Sequence, residues 1–290
     1  MDWDPEAIQA LEQAPRFVRA LAHRRVEKIV ATEGRTRVTL ADVEAARKKM
    51  APAAGKPGSA SSLDEKQIRE LEKRVEELQN QPALQTRYYS IRVCGAAAGC
   101  PRARVDIASL VESLQQILDR SGLGRHLEER IRGPILTHSK FRLALSGCPN
   151  ACSQPQIVDF GVVGRARTER GQGECTGCEV CVRTCSERCI RLIGGEPQID
   201  CEVCINCGDC AEVCPASALT ITETGYSVLV GGRLGRHPRL AKTLLEFVSA
   251  EGVEQALAAS LDFYMSQAEG PEKFSALIER KGLDSIRSKR

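Results

Sequence analysis

The chain has 290 residues and fourteen cysteines, and twelve of those cysteines fall into three spaced sets that could do chemistry. The first set is split over two loops. Cys94 and Cys100 are separated by five residues and, after a helical stretch, Cys148 and Cys152 by three. Small residues crowd both loops (Gly95, Ala96, Ala97, Ala98, Gly99, Gly147, Ala151). Such backbone can approach an inorganic group closely and aim amides at its sulfurs. Four thiolates arriving as two close pairs suit a cubane iron–sulfur cluster, which takes four soft ligands. Four buried free thiols are the plain alternative. They fit poorly, because each pair sits in a Gly- and Pro-containing loop and not on an apolar face.

The remaining sets repeat one spacing. Cys175, Cys178, Cys181 and Cys185 are followed by Cys204, Cys207, Cys210 and Cys214, the last preceding Pro215. Pairs two residues apart also serve zinc, but two matched runs of four favour iron–sulfur. Cys189 and Cys201 are left over. Cys189 falls where the second repeat has Ala218, so a small buried residue is the simplest reading. A partner-facing thiol or an extra ligand is the other.

Several elements must position these sulfurs. Tyr89-Ser90-Ile91-Arg92-Val93 reads as a strand that delivers Cys94. Asp106 can cap a helix carrying Ile107, Leu110, Leu114, Ile117 and Leu118, stopped at Gly122. Residues 140–145 alternate as a strand that delivers Cys148, and 157–164 as another, with 226–232 as its hairpin partner. The eight repeated cysteines therefore lie in an insertion at a hairpin tip, where added domains are tolerated. Beyond Pro238 we expect helices only. Leu240, Leu244, Leu245 and Val248 form one stripe, Val253, Ala256, Leu257 and Leu261 a second, and Phe274, Leu277 and Ile278 a third.

Residues 1–50 read as three short helices. Asp4 caps the first, with Pro5 at its first position; the second carries Phe17, Val18, Leu21, Val26, Ile29 and Val30 and ends at Gly34; the third starts at Thr39 and Asp42. Residues 51–62 are linker by composition. Ser62 and Glu65 form a capping box before an amphipathic helix with Ile68, Leu71, Val75 and Leu78. That helix suits a short coiled coil or packing on its own domain.

The two split cysteine loops, with Ser146-Gly147-Cys148-Pro149-Asn150-Ala151-Cys152, resemble the iron–sulfur/siroheme half of sulfite and nitrite reductases. The repeated runs resemble a two-cluster bacterial ferredoxin, with Ser186 in place of the usual proline. Residues 1–50 resemble the small module at the C-terminal end of light-independent protochlorophyllide reductase subunits, from which no catalytic residue is carried over. Together these imply an α+β fold. An N-terminal all-α module (1–50) and a linker with helix (51–85) lead to a siroheme-reductase-like α/β sandwich domain (86–166 and 223–290), interrupted by a ferredoxin-like insertion (167–222).

The resemblance also implies roles. Three 4Fe–4S clusters are expected. One is held by Cys94, Cys100, Cys148 and Cys152, with Cys152 bridging to siroheme. A second takes Cys175, Cys178, Cys181 and Cys214, and a third Cys204, Cys207, Cys210 and Cys185. Cys152, Asn150, Arg233 and Arg236 are siroheme-binding candidates. Lys140, Arg142 and Arg102 are catalytic candidates, drawn from flanking cations that also include Arg92, Arg104, His237 and Arg239. The implied activity is reduction of a small anion, sulfite or nitrite, fed by an electron-donor protein. The sequence matches one reductase half, so either a second copy of the chain completes the haem pocket, or a partner subunit does, or siroheme is absent. The alternatives are a non-catalytic electron-transfer subunit and a tetrapyrrole-handling protein.

Composition excludes other classes. A net charge of +3 is too small to argue for nucleic acid. No apolar run is long enough to span a bilayer. The acidic start, Met1-Asp2-Trp3-Asp4-Pro5-Glu6, has no apolar core, so we do not expect it to act as a secretion signal. Cysteines at metal-site spacing then point to a reducing compartment, with the cytoplasm as the expected location.

Overall fold

The computed structural model describes residues 1–12, 23, 26–27, 29–31, 34–50, 65–81 and 84–287. The expected linker at 51–62, with Ser62, and the core positions Phe17, Val18 and Leu21 lie outside the described residues. The chain divides into two compact units. One comprises Met1–Gly58 with Cys175–Glu179, the other Ser59–Glu174 with Val180–Arg290.

In the first unit, helices Pro5–Glu12 and Leu40–Met50 are joined by a pairing that periodicity did not suggest. Strand β1 (Asp2–Trp3) runs parallel to β2 (Arg37–Val38). Ala7, Val26, Val30, Val38, Val43 and Ala46 make a small core. Asp4 precedes its helix as expected, but its carboxylate accepts from Arg37 Nε at 2.6 Å. Asp42 caps its helix by reaching back: its Oδ2 accepts from Thr39 N at 2.9 Å and from Thr39 Oγ1 at 2.8 Å.

The second unit is built on a five-stranded sheet. Its strands are β3 (Tyr89–Val93), β4 (Phe141–Ser146), β5 (Phe160–Arg170), β8 (Leu219–Val230) and β9 (Lys242–Val248), paired in that order. The hairpin β6 (Ile190–Ile193) and β7 (Glu196–Ile199) stands apart from it. Strands β3, β4 and β5 are parallel, whereas β5, β8 and β9 are antiparallel. The β5–β8 ladder runs from Phe160 opposite Val230 out to Arg170 opposite Leu219, so the large sheet continues past Ala166 before the chain leaves it.

Alternation on β3 and β4 decides which face is covered. Tyr89, Ile91, Val93, Phe141, Leu143 and Leu145 are buried, and they share a core with Leu110 and Leu114 of helix Ala108–Arg120 and Val253 and Leu257 of helix Ala250–Gln267. Each such side chain contributes about 1.5–3 kcal/mol by leaving water. Arg92 and Arg142 alternate to the other face, with Ser90 opposite Arg142. Asp106 Oδ1 accepts from Ala108 N at 2.8 Å and so caps the first of these helices.

One expectation is corrected. Residues 242–248 are not the first turns of a C-terminal helix but strand β9. Of the supposed stripe, only Leu244 is buried, while Leu240 is 67% exposed. Helix begins at Ala250, capped by Ser249 Oγ accepting from Gly252 N at 3.2 Å. Helix Glu65–Gln79 leaves Ile68 exposed and lays Leu71 against the cluster loop, where a Cβ on Gly95 would meet Leu71 Cδ2 at 3.2 Å.

Candidate functional site

Parallel, in-register pairing of β3 and β4 brings their C-terminal ends together, with Val93 opposite Leu145. The next residues are therefore neighbours: Cys94 N donates to Leu145 O at 3.1 Å. A buried serine pair closes the second loop, with Ser146 Oγ 2.7 Å from Ser153 Oγ and Ser153 N donating to Ser146 Oγ at 3.2 Å. Gly147 faces the first loop so tightly that a Cβ there would collide with Ala96 Cβ.

Donors point at the sulfurs. Gly147 N and Ala96 N donate to Cys94 Sγ at 3.3 and 3.4 Å, and Asn150 Nδ2 donates to Cys152 Sγ at 3.0 Å. Burial pushes the Cys148 thiol up. The Asn150 amide opposes that shift, and Cys94, Cys152 and Cys100 reinforce it through their charges. Cys94, Cys100 and Cys152 are thus charge neighbours of Cys148. Cys152 is exposed.

In the insertion, Asn206 N donates to Cys204 Sγ at 3.4 Å and Ala218 N to Cys214 Sγ at 3.2 Å. Burial pushes Cys210 up to about 11 and also raises Cys207, with Cys204 a charge neighbour of both. Cys185 Sγ lies 3.4 Å from Cys189 Sγ. Burial, then Cys185 and Cys204, push Cys189 up to about 12. Cys185, Cys204, Cys207 and Cys210 therefore belong to one neighbourhood, with Cys189 packed among them. Cys181 and Cys214 line the same small core. Cys175 and Cys178 fall in the other compact unit, so their place in a ligand set rests on spacing.

Among the described residues no three His, Cys, Asp or Glu side chains converge as ligands of a single ion. The fit to iron–sulfur clusters rests on the N–H···S bonds. Amide donors stabilise thiolates that carry cluster charge and tune cluster potential.

The basic candidates separate into groups. Lys140, Arg142, Arg233 and Arg236 line one cavity of about 310 Å³, together with His237 and Lys273. Arg102 is exposed on the first cysteine loop, and neither it nor Asn150 nor Cys152 lines that cavity. Inside it, Asp159 is buried and accepts from Arg142 N at 3.0 Å, with Arg142 Nε 3.5 Å from the same oxygen. Burial raises the Asp159 pKa, and the Arg142 charge opposes the rise. Lys140 Nζ donates to Thr86 O at 2.5 Å, and Arg233 Nε to His237 O at 2.9 Å. Arg92 connects this face to the second cysteine loop: its Nη1 donates to Gln154 Oε1 at 3.1 Å, and its charge feels that of Arg142.

Sequence reasoning missed Asp159 and Lys273. Asp159 carried a usable signal, a lone carboxylate in the apolar run Ile157-Val158-Asp159-Phe160. Lys273 carried none, since only the tertiary fold brings it to β4.

Comparison with known proteins places these features in a family. The model for the nitrite and sulphite reductase 4Fe-4S domain matches residues 86–290, and that for the proto-chlorophyllide reductase 57 kD subunit matches residues 3–47. The coenzyme F420-dependent sulfite reductase of Methanocaldococcus jannaschii is 31% identical over 168 residues, 57% of this chain and 27% of that protein. One subunit of the anaerobic sulfite reductase of Salmonella typhimurium is 31% identical over 150 residues, 50% of this chain and 44% of that one. The chain thus spans less than half the length of either relative. The crystal structure of dissimilatory sulfite reductase I aligns with a TM-score of 0.49 at 21% identity, covering 77% of this chain and 57% of that one. No described helix is long and apolar enough to cross a membrane. The match over 86–290 takes in the whole five-stranded sheet and every one of the fourteen cysteines, and by it the chain belongs to the nitrite and sulphite reductase 4Fe-4S domain family.

Proposed function

We propose that the chain is a siroheme-dependent reductase of sulfite, or of nitrite, served by three 4Fe–4S clusters. One observation carries the reading. Lys140, Arg142, Arg233 and Arg236 share a cavity at the start of β4, the strand whose far end leads to Cys148. An oxyanion and a macrocycle bearing carboxylates both need such cations, worth most where water is excluded.

Cys152, exposed and bonded by Asn150 Nδ2, would be the sulfur through which the chain holds siroheme. Arg233 and Arg236 would hold the macrocycle's carboxylates. Lys140 and Arg142 attract and orient the anion, and Asp159 fixes the Arg142 backbone and guanidinium. Arg102 stands exposed on the first loop, open to a second copy or a partner subunit that completes the pocket. Siroheme, when bound, would supply a redox-active metal centre for single-electron chemistry. An electron-donor protein must supply them.

A second reading, a non-catalytic electron-transfer subunit, is favoured by what Lys140 and Arg142 already bind. Thr86 O holds Lys140 Nζ, and Asp159 holds Arg142. That one relative is named a subunit fits it as well. The absorption spectrum of anaerobically purified protein separates the two. A siroheme band that shifts on adding sulfite supports the reductase. A featureless brown iron–sulfur spectrum in iron-replete protein rejects it and leaves the relay.

A further inference from the structure

Three consecutive carbonyls in the insertion are each held by the reductase sheet or its first cysteine loop. Ile205 O accepts from Arg165 Nη1 at 2.6 Å, Asn206 O from Ala166 N at 2.7 Å, and Cys207 O from Arg104 Nε at 2.6 Å. The turn is shaped to receive them. Asn206 and Gly208 both have positive φ, and a Cβ on Gly208 would meet Ala166 Cβ at 3.0 Å. Positive φ is tolerated by Gly and Asn before most other residues.

Arg104 reaches both ways. Its backbone N donates at 2.8 Å to the carbonyl of Gly147, the residue before Cys148, while its side chain is only 6% exposed against the Cys207 turn. A continuous chain of bonds therefore runs from Cys148 through Gly147 O and Arg104 to Cys207 O. Its two remaining nitrogens are matched by carboxylates, Asp209 at 2.7 Å and Glu212 at 2.6 Å. Arg104 is thus a bridge whose charge is balanced locally.

Arg165 differs. It donates to neutral oxygens, Ser227 Oγ at 3.1 Å and Ile205 O at 2.6 Å. Its guanidinium is bonded to the carbonyl of Ile205, which lies between Cys204 and Cys207, so its charge sits on that turn. Glu246 offsets part of that charge through space. A cation beside a cluster favours the reduced form, which carries one more negative charge.

We propose that Arg104 and Arg165 make the 204–207 turn the electron exit of the inserted module: Arg104 as the bonded bridge to the Cys148 loop, Arg165 as the charge that raises the reduction potential of the adjoining cluster. The proposal rests on the reading that Cys185, Cys204, Cys207 and Cys210 hold one cluster and Cys94, Cys100, Cys148 and Cys152 another. In the transfer one electron leaves the first cluster, which is oxidised, and enters the second, which is reduced. No bond or proton moves, and a one-electron carrier protein restores the first cluster. Both arginines are positioning residues, since neither touches substrate.

An EPR-monitored redox titration of full-length wild-type protein, Arg165→Gln, Arg165→Lys and Arg104→Gln, with iron measured in each, tests this. Arg165→Gln is expected to disfavour reduction of one cluster about tenfold, a fall of about 59 mV for a one-electron couple. Arg165→Lys keeps the charge and the wild-type potential. Arg104→Gln leaves the potentials in place and weakens the spin–spin interaction between the exit cluster and its neighbour. If Arg165→Gln retains wild-type iron and every potential, or Arg104→Gln retains iron and the full interaction, the exit assignment is overturned. If Arg165→Gln loses iron that Arg165→Lys keeps, and the Lys variant shows a wild-type potential, the need for charge at this turn is upheld. A wild-type protein with no iron–sulfur signals removes the underlying ligand reading instead, and the proposal with it.

Discussion

Gly147 sits against Ala96 with no room for a side-chain carbon between them. That contact fixes the separation of the two cysteine loops, and with it the spacing of Cys94 and Cys148. Gly147→Ala must push the loops apart, and we predict that it lowers the iron bound by the Cys94, Cys100, Cys148 and Cys152 set to a small fraction of wild type. Adding Ala96→Gly in the same chain restores the space and should recover most of the iron. Iron analysis of the single and double variants checks this; equal loss in both shows that the contact does not set the spacing.

The cavity cations should act on anion affinity. Lys140→Ala and Arg142→Ala are each expected to weaken sulfite binding about tenfold, equivalent to about 1.4 kcal/mol. A spectroscopic sulfite titration measures it. Unchanged affinity in both variants would remove these residues from the substrate site.

Asp159→Ala is expected to cost about 3 kcal/mol of stability, because it strands Arg142 N and leaves its guanidinium without its buried partner. Asp159→Asn keeps an acceptor oxygen and should cost less. Denaturant unfolding of the two variants orders them, and the reverse order would contradict the pairing.

Asp106 gives a pH dependence with a definite sign. Ser109 Oγ, then the Ala108 amide, hold its pKa below the ordinary value. A carboxylate with a depressed folded pKa stabilises the protein above its unfolded pKa of about 3.9, and that stability fades as pH falls through the folded value. Asp106→Ala should therefore cost about 1 kcal/mol at neutral pH, and the deficit should shrink below about pH 4. A deficit independent of pH would mean that the cap works through neutral hydrogen bonds alone.

The site was legible in the sequence where chemistry and local pattern coincide. The residues of β3 and β4 alternate, end beside cysteines and are flanked by small residues, so both the strands and the loop pairing could be read. Strand β9 could not. Leu240, Leu244, Leu245 and Val248 have helical spacing, but the open side of β8 offers hydrogen bonds that a helix cannot fill. Register shifts between Tyr226 and Leu229 let Leu244 point inward while Leu240 stays in solvent. Leu244→Ala should accordingly cost about 2 kcal/mol or more, whereas Leu240→Ala should be near neutral. The Arg104 bridge was illegible for another reason. Arg104 and Cys207 are 103 residues apart, and no local pattern links a cation to a carbonyl at that separation.

Iron and acid-labile sulfide per chain, measured on anaerobically prepared protein, test the central claim that the cysteine sets bind three cubane clusters. We predict about twelve iron atoms and as many sulfides, from four of each per cluster. Zinc in place of iron, or about four iron atoms in fully loaded protein, would contradict it.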